Sequence, residues 1–292
     1  GADDAAALNS CTAGLHLALV LLGVGRGDAV VTTPMTFAGT VNVIEHVGAT
    51  PLLADVSPDT LNLDPGSVRA ALARARAAGL RVRALIAVHY AGHPCDLDAL
   101  DALAEEHGLH VIEDAAHALL AAWRGRSVGA ARGRVLTSFS FYANKNLTTG
   151  EGGMLTGPAD LVERARVLRN SGISRDPWRR GGAHASWRYE VRAAGWKYNM
   201  TDIAAAIGLR QLERLPELDA RRRAIAARYT AAFERSPVAE PPAVREGARH
   251  AWHLYPVRLR LENLAIDRDR FVDELERRRI GASVHFIPIH LH

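Results

Sequence analysis

The run Arg83-Ala84-Leu85-Ile86-Ala87-Val88-His89, the stretch from Asp96 to His107 and the run His110-Val111-Ile112-Glu113 decide the fold. The first and last read as apolar strands and the stretch between them as a helix, an order that argues for parallel pairing. The same alternation continues outward. Ala29 to Thr33 reads as a strand, followed by a loop at Pro34-Met35-Thr36-Phe37 and a helix through Val47; Thr50 to Val56 reads as a strand and Pro65 to Ala78 as a helix. Further on, Val135 to Tyr142 and Gly153 to Thr156 read as strands, and Pro158 to Asn170 as a helix with proline in its first turn. This pattern predicts an α/β fold with a mostly parallel central sheet covered by helices.

From Gly172 to Ala194 the pattern breaks into a stretch rich in Gly, Arg and Trp, which reads as a long loop. Thr201 then caps a helix to about Leu215, and Pro216 is expected to end it and restart a second helix to about Arg235. Pro237 to Pro242 reads as a linker. Beyond it a strand over Leu254 to Leu261, a helix over Arg268 to Arg279 and a strand over Ser283 to Ile287 are expected. Two domains follow: a large one over residues 1–236 and the start of a small C-terminal α/β one over residues 237–292. Both ends read as cut, since Gly1 to Asn9 lead straight into a core helix and His292 ends in mid-pattern.

The composition is that of an ordinary globular chain: 292 residues, 48% apolar and 23% charged. No apolar run reaches the roughly 18 residues of a spanning helix, and no secretory signal is visible. Cys11 and Cys95 stand in no metal or redox spacing, and a reducing cytoplasm is expected. The net charge is +4, but the basic residues, as in Arg221-Arg222-Arg223 and Arg277-Arg278-Arg279, have no interleaved aromatics and read as solvated helix faces, not a nucleic-acid surface. Such a surface still attracts a small phosphorylated ligand. Lysine occurs only at Lys145 and Lys197; every other basic side chain, histidine aside, is arginine. A lysine amine can lose its proton and attack a carbonyl, which arginine cannot do.

Four segments carry candidate chemistry. Asn9-Ser10-Cys11-Thr12-Ala13-Gly14 opens a helix running to Leu22, either a phosphate-binding N-terminus or a plain cap. Val111 to His117 ends an apolar strand in acids, where ligands of open α/β sheets sit; Asp114 either holds a ring nitrogen protonated or caps the next helix. In Ser138 to Asn146, followed by Gly150-Glu151-Gly152-Gly153, a strand delivers a serine and Lys145 follows, either as a reactive amine or as a surface residue in a turn. Trp196-Lys197-Tyr198-Asn199-Met200-Thr201-Asp202 enters a helix with the Asn199 amide free to donate, and Lys197 reads as structural or exposed.

In this order, together with Thr36-Phe37 and Trp252-His253-Leu254-Tyr255, these segments resemble the DegT/DnrJ/EryC1/StrS family of sugar aminotransferases along nearly the whole chain. The resemblance implies a three-layer fold-type I enzyme using pyridoxal 5′-phosphate (PLP). It implies Lys145 as the Schiff-base lysine, Asp114 on the pyridine nitrogen, Phe37 on the ring face and His117 on the ring hydroxyl. Cys11 through its backbone, Thr12 and Ser140 would bind the phosphate, and Asn199 the cofactor phosphate of the partner in a homodimer. The implied reaction moves an amino group from glutamate to a nucleotide-linked keto sugar, nearest to a 4-keto-6-deoxyhexose or 4-keto pentose. Keto-cyclitol and 3-keto-sugar aminotransferases, or a non-catalytic PLP-binding regulator, are the alternatives. Where relatives with histidine at the lysine position dehydrate, Lys145 argues for transamination. No metal is expected at His285, His290 and His292, which the family likeness places near the site entrance, and no membrane partner.

Overall fold

Seven strands form one sheet in the order β1-β9-β8-β5-β4-β2-β3. They are β1 (Asp4–Leu8), β2 (Asp28–Thr32), β3 (Thr50–Leu53), β4 (Arg81–Val88), β5 (His110–Asp114), β8 (Leu136–Ser140) and β9 (Gly153–Gly157). Strands β3, β2, β4, β5 and β8 pair in parallel, and β9 lies antiparallel between β8 and β1. The short β6 (Ala122–Trp123) and β7 (Arg126–Ser127) form a separate ribbon. The computed structural model describes residues 1–174 and 189–292, so the centre of the stretch read as a loop after Gly172 lies outside the described residues.

Strand β4 explains why both faces are covered. Ala84 and Ile86 pack with α1 (Cys11–Leu21), α2 (Ala38–His46) and α5 (Ala159–Leu168), while Leu85 and Ala87 pack with α3 (Pro65–Ala77) and α4 (Leu97–His107). Side chains alternate across a strand, so an unbroken apolar run serves two cores. Each large side chain so buried contributes roughly 1.5–3 kcal/mol. The helix starts are set locally. Ser10 Oγ accepts the Ala13 N–H at 3.1 Å, an Asp64 oxygen that of Ser67 at 2.7 Å, and an Asp96 oxygen that of Ala99 at 3.2 Å. Gly108, in the left-handed region at φ 64, closes α4 and lets β5 begin two residues later.

One element was not foreseen and three expectations need correction. Residues ahead of α1 form β1, although an alanine run has no strand preference; the free edge of β9 and the Arg166 grip on Asp4 supply what propensity lacks. Pro216 does not divide two helices: α6 (Asp202–Phe233) runs through it. Buried Leu215 and Asp219 bracket the proline, and Asp219 accepts Arg223 Nε at 2.8 Å and Arg249 Nη2 at 3.0 Å, which ties the following turn to the rest of the chain. The strand expected over Leu254 to Leu261 shrinks to β12 (Arg258–Leu259) against β10 (Ala239–Glu240), with β11 (Ala248–Arg249) on β6 and α7 (Arg268–Arg277) beyond. Ser283 to Ile287 finds no strand partner among the described residues; instead the Tyr90 hydroxyl donates to the His285 carbonyl. The arginine runs also differ from one another. Arg277 to Arg279 are exposed, whereas Arg222 donates to the Trp252 carbonyl at 3.3 Å. Among the described residues no helix is long and apolar enough to cross a membrane.

Consecutive acids at the end of β5 point to opposite faces. Glu113 is 2% exposed in its side chain and accepts Thr137 Oγ1 at 2.6 Å, with Arg132 Nη2 at 2.9 Å and His89 Nε2 at 3.8 Å. Burial opposes its ionisation, but the His89 ring and the Arg132 guanidinium outweigh it, and the pKa falls to about 2.

Two outcomes follow from this packing. A Cβ on Gly153 would lie 2.4 Å from the Ser10 carbonyl carbon and 2.6 Å from the Cys11 nitrogen, so Gly153→Ala must push β9 off the start of α1. A loss of about 2–3 kcal/mol is expected in urea unfolding, and an unchanged midpoint would mean that this contact yields freely. Glu113→Gln leaves Arg132 with Asp101 alone, 3.0 Å away, and should cost about 3 kcal/mol near neutral pH. Because the folded pKa lies below the ordinary value of 4.5, that contribution is complete above about pH 4.5 and vanishes as pH falls through about 2. Unfolding both proteins across this range should show the gap closing; a constant gap refutes the charge-based account.

Candidate functional site

The parallel strands end on one side of the sheet, and there the chain turns from apolar to polar. After β2 come Thr36 and Phe37, after β4 His89, after β5 Ala116 and His117, and after β8 Tyr142, Asn144, Lys145, Glu151 and Gly152. With Asp114, Ser140 and the N-terminus of α1 these residues line a cleft of about 460 Å³. That is the size and place expected of a small-ligand site in an open α/β sheet.

Asp114 is 5% exposed and held by donors from three elements. Its Oδ1 accepts the Ala116 N–H at 3.1 Å and its Oδ2 the Thr40 hydroxyl at 2.7 Å. The Cys11 thiol lies 3.8 Å from Oδ1 and 3.4 Å from the Ser138 carbonyl. Burial and the neighbouring Asp114 charge drive the Cys11 pKa far upward, so the thiol stays protonated. Lys145 shares the same cleft. Burial lowers its pKa, opposed by the attraction of Asp114, so more of its amine is neutral than in water.

The lysine segment is braced on both sides. The Lys145 N–H donates to the Tyr142 carbonyl at 3.0 Å, and the next residue, Asn146, donates to the Ala251 carbonyl at 2.8 Å and meets His253 Nδ1 at 3.2 Å. A Cβ on Gly152 would lie 2.2 Å from Thr149 Oγ1, so a side chain there would displace the Thr149 hydroxyl. His117 Nδ1 accepts the Ala91 N–H at 3.2 Å, and Ala91 takes φ 57 to present it. The proton of the neutral ring therefore sits on Nε2. Burial, with His253, Lys145 and His285 nearby, pushes the His117 pKa far down and keeps the ring neutral. Phe286 also lines the cleft, stacked on His117 at 6.0 Å and tilted toward Phe37 at 6.4 Å.

Of the residues singled out from the sequence, Cys11, Thr12, Phe37, Asp114, His117, Ser140 and Lys145 line this cleft. Phe37 remains 64% exposed. Asn199 does not line it. It bridges to Leu8, its Nδ2 donates to the Met200 carbonyl at 3.2 Å, and its buried Oδ1 meets no partner among the described residues. Lys197 is exposed and elsewhere. Sequence reasoning missed Thr40, His89 and Phe286. His89 carried a signal like that of Asp114, a polar residue ending an apolar strand; Thr40 and Phe286 carried none, since each meets the cleft through contacts distant in sequence.

The arrangement can hold a flat ligand that is anionic at one end and carries an electrophilic carbon near an amine. A model of the DegT/DnrJ/EryC1/StrS aminotransferase family matches residues 1–292. The spore coat polysaccharide biosynthesis protein SpsC of Bacillus subtilis is 46% identical over 100% of this chain and 74% of its own length. Among solved structures, DesV of S. venezuelae superposes with a TM-score of 0.87 at 36% identity, covering 100% of this chain and 72% of its own. The sugar aminotransferase CalS13 of Micromonospora echinospora gives 0.85 at 34%, covering 99% and 75%. Enzymes of the matching family depend on PLP.

Proposed function

We propose, because this chain belongs to the DegT/DnrJ/EryC1/StrS aminotransferase family, that it passes the amino group of glutamate through PLP to the 4-keto group of a nucleotide-linked 6-deoxyhexose or pentose. The chain is a sugar aminotransferase; the 4-keto substrate, the nucleotide and the glutamate donor are the proposal. The segment Lys197 to Ile203 and the pair Thr148-Thr149 favour the 4-keto subgroup by likeness. The observation that carries the reading is the meeting, in one cleft, of a desolvated Lys145 amine, a buried Asp114 carboxylate and the first turn of α1.

These residues fit PLP by their chemistry. The first turn of α1 with Thr12, and Ser140 across from it, would bind the phosphate. Asp114 would hold a proton on the pyridine nitrogen, Phe37 would cover the ring, and His117 Nε2 would donate to the ring hydroxyl oxygen. When bound, PLP supplies an electrophilic carbonyl and an electron sink for amino-group transfer. Lys145 Nζ would be the amine placed to meet that carbonyl and the base placed to take and return the proton. Burial lowers its pKa, which makes more of the neutral amine available as a base.

The working form would be a homodimer in which Asn199 serves the partner's site. The placement of Asn199 outside its own cleft supports this. So does the apolar surface of α6, where Ile203 is 78% and Leu209 65% exposed.

Borohydride reduction after incubation with PLP should label Lys145 and not Lys197, and Lys145→Ala should lower turnover on 4-keto nucleotide sugars at least about 1,000-fold. Label on Lys197, or turnover only with 3-keto sugars or keto-cyclitols, would refute the assignment. Lys145→Ala and Asn199→Ala subunits, each impaired alone, should regain about a quarter of full activity on mixing, since half the dimers are hybrid with one intact site each. No recovery in subunits proven to exchange would exclude a shared site.

A further inference from the structure

The buried carboxylate at the end of β5 receives its strongest hydrogen bond from a residue that the proposed chemistry does not use. Thr40 Oγ1 donates to Asp114 Oδ2 at 2.7 Å, and Thr36 Oγ1 lies 2.7 Å from Thr40 Oγ1. Thr36 and Thr40 are each 1% exposed. An ionised carboxylate only accepts, so the single Thr40 proton points to Asp114, and Thr36 must donate to Thr40. The result is a directed chain, Thr36 to Thr40 to Asp114, in which each donor polarises the next. Oδ1 is fixed separately by the Ala116 N–H at 3.1 Å. With both oxygens held from different elements, the carboxylate plane cannot rotate while Thr40 keeps its hydroxyl.

We infer that Thr40, backed by Thr36, is a positioning residue that sets the orientation and charge of Asp114 toward a cationic ring nitrogen. The inference rests on the PLP reading above and deepens it. Three features support it. Hydrogen bonds to a carboxylate are stronger than those between neutral groups. Thr36 and Thr40 are themselves buried, so the chain of donors is shielded from the solvent that would compete with it. The first turn of α2 that presents Thr40 also carries Phe37 at its start, so one helix end would deliver both the ring's cover and its charge partner.

Thr40→Val keeps the shape and deletes the donor, and Thr40→Ser keeps the donor and deletes a methyl group. Purified full-length protein is titrated with PLP, reading its dissociation constant and the pH midpoint of the bound cofactor's visible absorbance. A proton held on the ring nitrogen opposes a second positive charge at Lys145 Nζ, so loosening Asp114 should raise that midpoint. Thr40→Val should weaken PLP binding about tenfold and shift the midpoint upward. Thr40→Ser should stay within about twofold of wild type with its midpoint in place, and Thr36→Val should weaken binding by about threefold. A purely structural role would change unfolding without moving the midpoint. Wild-type affinity and midpoint in Thr40→Val, or a Thr40→Ser protein that behaves like Thr40→Val, would overturn the inference. Wild-type protein that gains no visible absorbance with PLP would instead overturn the underlying reading, and this inference with it.

Discussion

A carboxylate almost wholly buried at the end of a central parallel strand must be held by whatever donors the neighbouring elements can bring, because burial strips away most of its hydration. Asp114 is such a group, and much of the cleft is organised around it. Its own turn supplies the Ala116 N–H, α2 the Thr40 hydroxyl, α1 the Cys11 thiol, and the segment after β8 the opposing charge of Lys145. Loss of any one donor would be felt by the others, since they converge on two oxygen atoms. The same strand sets the same problem on its other face. There Glu113 is answered by Thr137, Arg132 and His89 and serves to bind β5 to its surroundings. Alternation along a strand thus separates two adjacent acids into one that faces the cleft and one that secures the sheet.

The residues around Lys145 are held by backbone in costly conformations. Ala91 and Trp252 both take positive φ, 57 and 51, each worth on the order of 1–3 kcal/mol for a residue other than glycine. Their segments lock together: the Ala251 N–H donates to the Gly92 carbonyl at 2.8 Å and the Leu254 N–H to that of Ala91 at 3.1 Å. From there Asn146 reaches Ala251, and the Ala91 N–H reaches His117. A continuous set of hydrogen bonds therefore connects the lysine, the histidine facing it and a segment a hundred residues further along. Rigidity of this kind keeps an amine and a carboxylate in a fixed relation, which proton transfer requires.

Much of this was legible from the chain. The alternation of apolar runs and helical stretches specified a parallel sheet, and the scarcity of lysine drew attention to Lys145. The errors have physical causes. Pro216 looked like a helix end because proline forfeits a hydrogen bond, yet packing of Leu215 and the Asp219–Arg249 contact carry α6 past it. The alanine run before α1 had no strand character of its own and became β1 because β9 offered an edge.

The sequence by itself determined the parallel strands and most of the helices of the large sheet, and it singled out the side chains that later meet in the cleft, because periodicity, caps and residue type are local properties of the chain. Only the tertiary structure decided which of these side chains share a cleft, that Thr40 rather than Ser10 or Ser138 donates to Asp114, that Phe286 stacks on His117 there, and that Asn199 lies outside it. Those relations join residues as far apart as 40 and 114 or 117 and 286, and no local pattern encodes them; they arise when burial of two apolar faces forces the strand ends together.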